Sequence, residues 1–339
     1  MTDTPQAEPI EEKELNQQSG SNLDSVLRPN TWDGYIGQES IKKNLRVLLD
    51  AAKQREHNPE HLLFYGPPGL GKTTLSYLIA KEIGAQIKIT SGPAIEKVGD
   101  LASILTNLGE GDVLFIDEIH QLNKNIEEVL YPAMENGSLD IIIGKGPSAR
   151  TVQLELPAFT LIAATTQISK LSPPLRSRFS GGTFRLEFYT PNEIAQIVKN
   201  SAGTLDIQIE DTGADAIAAR ARQTPRTANA LLKRARDVAQ LDGTAITTGV
   251  VDTTMDMMAI DSMGLNEMDR TVLRDIIGKF GGGPVGLSTL AASTSEEAAT
   301  IEEVYEPYLI QLGLIQKTPR GRTATEKAYE HLKIEYTGE

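Results

Sequence analysis

The run Gly66-Pro67-Pro68-Gly69-Leu70-Gly71-Lys72-Thr73-Thr74 constrains this chain more than any other stretch. It fits the pattern G-x-x-x-x-G-K-[ST], with the apolar run His61–Tyr65 before it and a helical pattern, Leu75–Glu82, after it. Strand, glycine loop and helix is the context in which this pattern carries meaning. Glycines let backbone N–H groups crowd a phosphate, and the helix N-terminus adds partial positive charge. Lys72 then reaches β- and γ-phosphates, and the Thr73 hydroxyl can ligate Mg²⁺. The alternative is a Gly/Pro turn that happens to precede a lysine.

A second stretch supports the first. Asp112-Val113-Leu114-Phe115-Ile116-Asp117-Glu118 places four apolar residues in a row before an acidic pair. Such a strand is covered on both faces, as in a parallel sheet, and open α/β sheets bind ligands at the C-terminal ends of their strands. Asp117 is expected to hold Mg²⁺ through water and Glu118 to polarise the attacking water. An acidic helix cap is the structural alternative. Phe159–Thr166 is another apolar strand, and a hydroxyl at its end can orient water beside a γ-phosphate.

The totals set limits. A length of 339 residues suits two or three domains. Lys and Arg number 33 against 46 Asp and Glu, a formal charge of −13, so the whole molecule repels nucleic acid and membranes. Any DNA contact needs a local patch or several subunits together. The chain has no cysteine, which excludes disulfides and thiolate zinc sites. No apolar run approaches the roughly 18 residues of a membrane span, and the polar, acidic start is not a secretory signal. The expected compartment is the cytoplasm.

Along the chain, residues 1–22 are poor in large apolar groups and read as a disordered tail. Ile41, Leu45, Leu48 and Leu49 recur at helical spacing. Tyr35-Ile36, just ahead of that helix, either walls an adenine pocket or packs in the core. Gln86–Thr90 alternates like an edge strand, Leu101–Leu108 reads as a short helix, and Glu127–Met134 looks helical. Leu139–Gly144 and Thr151–Leu156, joined by the turn Lys145-Gly146-Pro147-Ser148, form a hairpin candidate that either docks a partner or packs on its own domain. In Leu171–Phe179 the prolines Pro173 and Pro174 are expected to stop regular structure and present Arg176 and Arg178. An arginine there either completes a neighbour's site or forms a surface ion pair.

Residues 191–259 read as helical, with Arg226 at a helix start after Pro225, placed either to reach a γ-phosphate or to cap. Then come helices over Asp269–Lys279, from Ser288, and over Ile301–Leu312, followed by two short strands around a basic turn. Three helices and a basic hairpin suggest a winged helix-turn-helix. Residues 262–339 carry 8 Lys/Arg and 12 Asp/Glu, a net of −4, so phosphate contact would concentrate on Lys317, Arg320 and Arg322.

Taken with Asp112–His120, Glu128–Glu135, Gly283–Leu287, Glu306–Gln311 and Thr318–Arg322, the chain from about Leu27 to Leu332 resembles the RuvB family of Holliday junction branch-migration ATPases, of the AAA+ class. The resemblance implies an α/β fold, with an AAA+ P-loop domain over 23–188, a helical lid over 189–261 and a winged-helix DNA-binding domain over 262–339. It implies an ATP- and Mg²⁺-dependent motor, a homo-hexameric ring on duplex DNA in recombination and repair, without a membrane. RuvA would dock on the hairpin near 139–156, and the resolvase RuvC is a further partner. Leu27, Arg28, Tyr35 and Ile36 would lie near adenine. Gly69, Leu70, Gly71, Lys72, Thr73 and Thr74 would hold phosphates, with Thr73 and Asp117 on the metal. Glu118 would be the base, Thr166 the sensor and Arg178 the finger reaching a neighbour's site. Glu135, Asn136, Gly137, Tyr189 and Arg226 would also face nucleotide. Lys317, Arg320 and Arg322 would contact DNA. The chain departs from the family pattern at Gln167, Ala298 and Lys317, where relatives carry Arg, and in the longer link Ser180–Thr183.

Overall fold

The computed structural model describes residues 25–143 and 150–336. The tail read at 1–22 and the hairpin turn read at 145–148 lie outside the described residues. The chain divides into two compact units. The first runs up to Glu193 and takes in Gly203–Asp206 and Thr224–Arg226; the second holds the remainder.

In the first unit, helix α1 (Glu39–Gln54) buries Ile41, Leu45 and Leu49 on one face. Strand β1 (Leu62–Tyr65) leads through the glycine loop into α2 (Lys72–Glu82), followed by β2 (Ile87–Ser91), α3 (Val98–Thr106), β3 (Val113–Asp117) and α4 (Lys124–Asn136). Then come β4 (Ser138–Ile143), β5 (Arg150–Glu155), β6 (Thr160–Thr165), α5 (Pro173–Ser177) and β7 (Gly182–Arg185). Five strands form one sheet in the order β2-β3-β6-β1-β7, all parallel. The central strands β3 and β6 are buried along almost their whole length. That burial is why both read as unbroken apolar runs. Register aligns Ser91 with Asp117 and Tyr65 with Thr165, so the strands deliver their polar ends to one edge.

Two expectations are corrected here. Pro173 and Pro174 do not stop structure. They start α5, because a proline at the first helical positions gives up no internal hydrogen bond, and the Ser172 hydroxyl caps the helix at Leu175 N (3.3 Å). The segment after the finger, read as a long link, contributes β7. The hairpin β4–β5 forms in antiparallel register. Leu139 is buried, and Leu154 and Leu156 pack against the sheet's core. Its base is therefore part of its own domain, while Val152 is exposed.

The lid helices are α6 (Pro191–Thr204), α7 (Asp211–Arg220), α8 (Pro225–Asp242) and α9 (Thr248–Met257), of which both ends of α6 and the first residues of α8 belong to the first unit and the rest to the second. The C-terminal part has α10 (Glu267–Gly278) and α11 (Leu287–Thr294). The expected third helix is broken: Ala298–Thr300 is α-helical, Ile301–Tyr305 is π-helical, and α12 covers Glu306–Gln311. Strands β8 (Ile315–Thr318) and β9 (Gly321–Ala324) form the antiparallel wing, with Val285 bridging to Arg322, and α13 (Glu326–Leu332) closes the unit. Val272, Leu273, Ile276, Leu290, Leu309 and Ile315 lie at the centre of its core.

Lid and winged helix are fastened together. Arg222 and Gln223 are consecutive residues in the left-handed region (φ 50 and 55). The Arg222 guanidinium pairs with the fully buried Asp269, its Nε donates to Gly264 O (3.1 Å), and it lies 5.1 Å over the Tyr308 ring. Gln223 accepts a hydrogen bond from Gln311. Asp269 also closes the capping box of α10 with Asn266. Burial pushes the Asp269 carboxyl up, and the Arg222 charge works against that rise.

Candidate active site

At the loop, Gly66 and Gly71 both have positive φ (134 and 98). A Cβ on Gly66 would sit 2.7 Å from Leu186 O, and one on Gly71 would sit 2.8 Å from Tyr35 Oη. Glycine is thus required by close packing as well as by backbone angle. Gly71 is the N-cap of α2, and the helix starts at Lys72. Lys72 Nζ donates to Gly66 O (2.8 Å) and Pro67 O (2.9 Å). Burial lowers its pKa, Glu118 and Asp117 oppose that, and Arg226 adds to it. Among the described residues, no carboxylate is in ion-pair contact with this buried ammonium. A cation met only by carbonyl dipoles, in a loop that admits no Cβ, fits a phosphate.

Asp117 ends β3, and its Oδ1 accepts from Glu118 N (3.0 Å). Glu118 adopts φ 47, a left-handed conformation that costs about 1–3 kcal/mol for a non-glycine residue. Strain of that kind concentrates at working sites. The turn carries the Glu118 carboxylate to the end of β6, where Oε2 accepts from Thr166 N (3.1 Å) and Thr166 Oγ1 (3.0 Å). His120 Nδ1 lies 3.2 Å from the same oxygen and 2.9 Å from Thr165 Oγ1. Thr73 and Asp117 offer a hydroxyl and a carboxylate, the hard oxygen donors that Mg²⁺ takes beside phosphate.

Tyr35 and Tyr189 are buried, and their hydroxyls converge on Leu70 O at 3.4 and 3.1 Å. Burial pushes the Tyr189 phenol up to about 12 and Tyr35 well above its ordinary value. Both hydroxyls therefore stay neutral donors that brace the loop. Arg226 N donates to Gly69 O (3.4 Å). Ile36 and Leu27 are half-buried, and Arg28, exposed, stacks over Tyr77 at 5.1 Å. Thr73 and Thr74 are half-buried in the first turn of α2.

Arg178 is held within its own chain. Its guanidinium lies 4.2 Å over the Tyr131 ring, pairs with Glu135 (3.0 Å) and donates to Pro174 O (2.7 Å), while Nε is buried without a partner. Asn136 ends α4, and Gly137 caps it in the left-handed conformation.

On the wing, Arg320 is exposed, and Lys317, half-exposed, pairs with Glu302 (2.7 Å). Arg322 is different. Its side chain is 8% exposed and forms a two-pronged pair with Glu306, itself 1% exposed. The sequence points Arg322 at a DNA phosphate, but in the structure its first partner is this buried carboxylate. Glu306→Ala is expected to cost the winged helix about 3–5 kcal/mol by stranding a buried cation. The measurement is the urea midpoint of that domain, and Glu306→Leu with Arg322→Met should regain most of the loss.

Two residues at these sites were not singled out from sequence. His120 follows the acidic pair in an apolar context, and nothing in its spacing marks it as facing Glu118. Tyr131 sits at helical spacing like a core residue, and only the fold brings it under Arg178.

Three family models match the chain. The RuvB P-loop domain of the Holliday junction DNA helicase covers residues 27–186, the RuvB AAA lid 189–261 and the RuvB C-terminal winged helix 262–333. The Holliday junction branch migration complex subunit RuvB of Dehalococcoides mccartyi (strain CBDB1) is 57% identical over 315 residues, which are 93% of this chain and 90% of that protein. A solved structure of the Thermotoga maritima RuvB Holliday junction branch migration motor has a TM-score of 0.83 at 50% identity, covering 92% of this chain and 99% of that one. A mutant of the same Thermotoga protein gives 0.84 at 50% identity, with 91% and 99% covered.

Proposed function

The chain belongs to the RuvB family of Holliday junction branch-migration motors, and from that premise we propose that it drives ATP-powered branch migration as a homo-hexameric ring on duplex DNA. It is a P-loop ATPase of DNA recombination and repair. The observation that carries the mechanism is the meeting of the Lys72 loop, the Asp117–Glu118 pair and Thr166 at one edge of the sheet.

Lys72 leaves the loop carbonyls and turns its ammonium to the β- and γ-phosphates. Gly69, Leu70 and Gly71 offer backbone N–H groups, and Tyr35 and Tyr189 hold that backbone in place through Leu70 O. Leu27, Arg28 and Ile36 take the adenine side. Thr73 and Asp117 would hold Mg²⁺, which when bound offsets phosphate charge. Glu118 accepts a proton from the attacking water, and Thr166 fixes the carboxylate for that task. Arg226 senses the γ-phosphate from its helix start, and Arg178 crosses to the neighbouring subunit's site. Glu135, Asn136 and Gly137 lie at that same subunit boundary. Lys317 and Arg320 meet the DNA backbone first, and Arg322 joins them only by giving up Glu306. Several weak wings summed around a ring reconcile DNA binding with the acidic chain. RuvA docks on the outer face of the β4–β5 hairpin, and RuvC is a further partner. Among the described residues no helix is long and apolar enough to cross a membrane, and the proposed compartment is the cytoplasm.

The test is migration of a synthetic four-way junction with ATP, Mg²⁺ and RuvA. Wild type should move the junction. Robust ATP hydrolysis that ignores the junction would replace this reading with a protein-remodelling ATPase.

A further inference from the structure

Thr166 supplies only part of what surrounds Glu118. The third group at Oε2 is His120, whose side chain is 5% exposed. Its Nδ1 sits between two oxygens, Glu118 Oε2 at 3.2 Å and Thr165 Oγ1 at 2.9 Å. Thr165 Oγ1 also accepts from Gln167 N at 2.9 Å. A bare Nδ1 would turn its lone pair towards a carboxylate lone pair. The tautomer that satisfies both oxygens carries its hydrogen on Nδ1 and shares it between them. The backbone is arranged for this contact. The left-handed turn at Glu118 opens into the short 3₁₀ turn Ile119–Gln121, which folds residue 120 back onto the ends of β3 and β6.

The geometry points to His120 as a positioning residue for ATP hydrolysis, one that with Thr166 fixes Oε2 of Glu118 so that the other carboxylate oxygen faces the attacking water. The inference rests on the reading of Glu118 as the base. A carboxylate held through one oxygen by donors from two elements, the 119–121 turn and the end of β6, cannot rotate its second oxygen off line. Loss of one donor frees it to swing. Misplacement of a reacting group by about 1 Å can cost on the order of 10²-fold in rate. Nδ1 of His120 contacts Glu118 and Thr165, so the effect it exerts through that carboxylate belongs in kcat rather than in binding.

The experiment has an activity arm and a nucleotide-free arm. In junction-stimulated ATP hydrolysis, His120→Ala should lower kcat by roughly 10–100-fold, with KM for ATP and the Kd of a fluorescent ADP analogue within about two-fold of wild type. His120→Asn places an amide N–H where Nδ1–H stood and should recover most of the rate. His120→Gln places its N–H at the Nε2 position and should not. In the nucleotide-free wild type, ¹⁵N-imidazole NMR should show His120 protonated on Nδ1, and that signal should move in Glu118→Gln. Full turnover in His120→Ala, an Asn variant no better than Ala, or a His120 signal protonated on Nε2 would each overturn the proposal. Glu118→Gln is assayed beside these variants. If it retains turnover, the base assignment falls; if it is inactive while His120→Ala is not, only the role of His120 falls.

Discussion

Glu118→Gln should lower ATP turnover by about 10²–10⁴-fold while leaving nucleotide binding in place. Glutamine keeps the side chain's length and an oxygen that can accept from Thr166 N and Thr166 Oγ1, the contacts now at 3.1 and 3.0 Å. The residue therefore stays in its strained turn, and the loop around Lys72 is untouched. What disappears is a lone pair basic enough to take a proton. Equilibrium binding of a fluorescent ATP analogue should match wild type, and the variant should trap ATP long enough to be isolated with it. Unchanged turnover would remove Glu118 from the mechanism.

Arg178→Ala is expected to have an effect of similar size, about 10³-fold or more in kcat. In the single chain its guanidinium rests on Tyr131 and Glu135 and makes no described contact with Lys72, Asp117 or Glu118. In the proposed ring, this cation would exchange its aromatic ring and carboxylate for a phosphate across the subunit boundary. Mixing separates the possibilities. Arg178→Ala and Lys72→Ala subunits should each be inactive alone. Combined in equal amounts, a site is intact when it has its own Lys72 and its neighbour's Arg178, which gives about a quarter of the wild-type rate. If the finger served its own subunit, every chain in the mixture would carry a defect and the mixture would stay silent.

The parts legible in the sequence were those whose chemistry is local. The loop at 66–74 declares itself because its glycines, lysine and threonine act through adjacent backbone. The pair Asp117-Glu118 is readable because an apolar strand delivers it. The winged helix was readable in outline from helix spacing and a basic turn. What escaped depends on partners distant in the chain. Arg322 on a short hairpin looks like any surface arginine until Glu306, sixteen residues away, is folded beneath it. Strand β7 has only four residues, and its partner β1 lies more than a hundred positions earlier. The prolines at 173–174 are ambiguous in sequence because proline both ends and begins helices, and only the Ser172 cap decides which. His120 belongs with these, since its role comes from the left-handed turn before it and the end of β6 beside it.

The fastening between Arg222 and Asp269 bears on how such proteins can be recombined by evolution or by design. The similarity to the lid and to the winged helix changes over between residues 261 and 262, as though the two were separable modules. The buried ion pair straddles that border. A winged helix grafted alone onto another motor would leave Asp269 without its counter-ion and bare the face that Arg222 covers. The portable part is therefore larger than the border suggests. Arg222 and Gln223 must travel with the C-terminal domain, so the lid and the DNA-binding end are inherited as one piece.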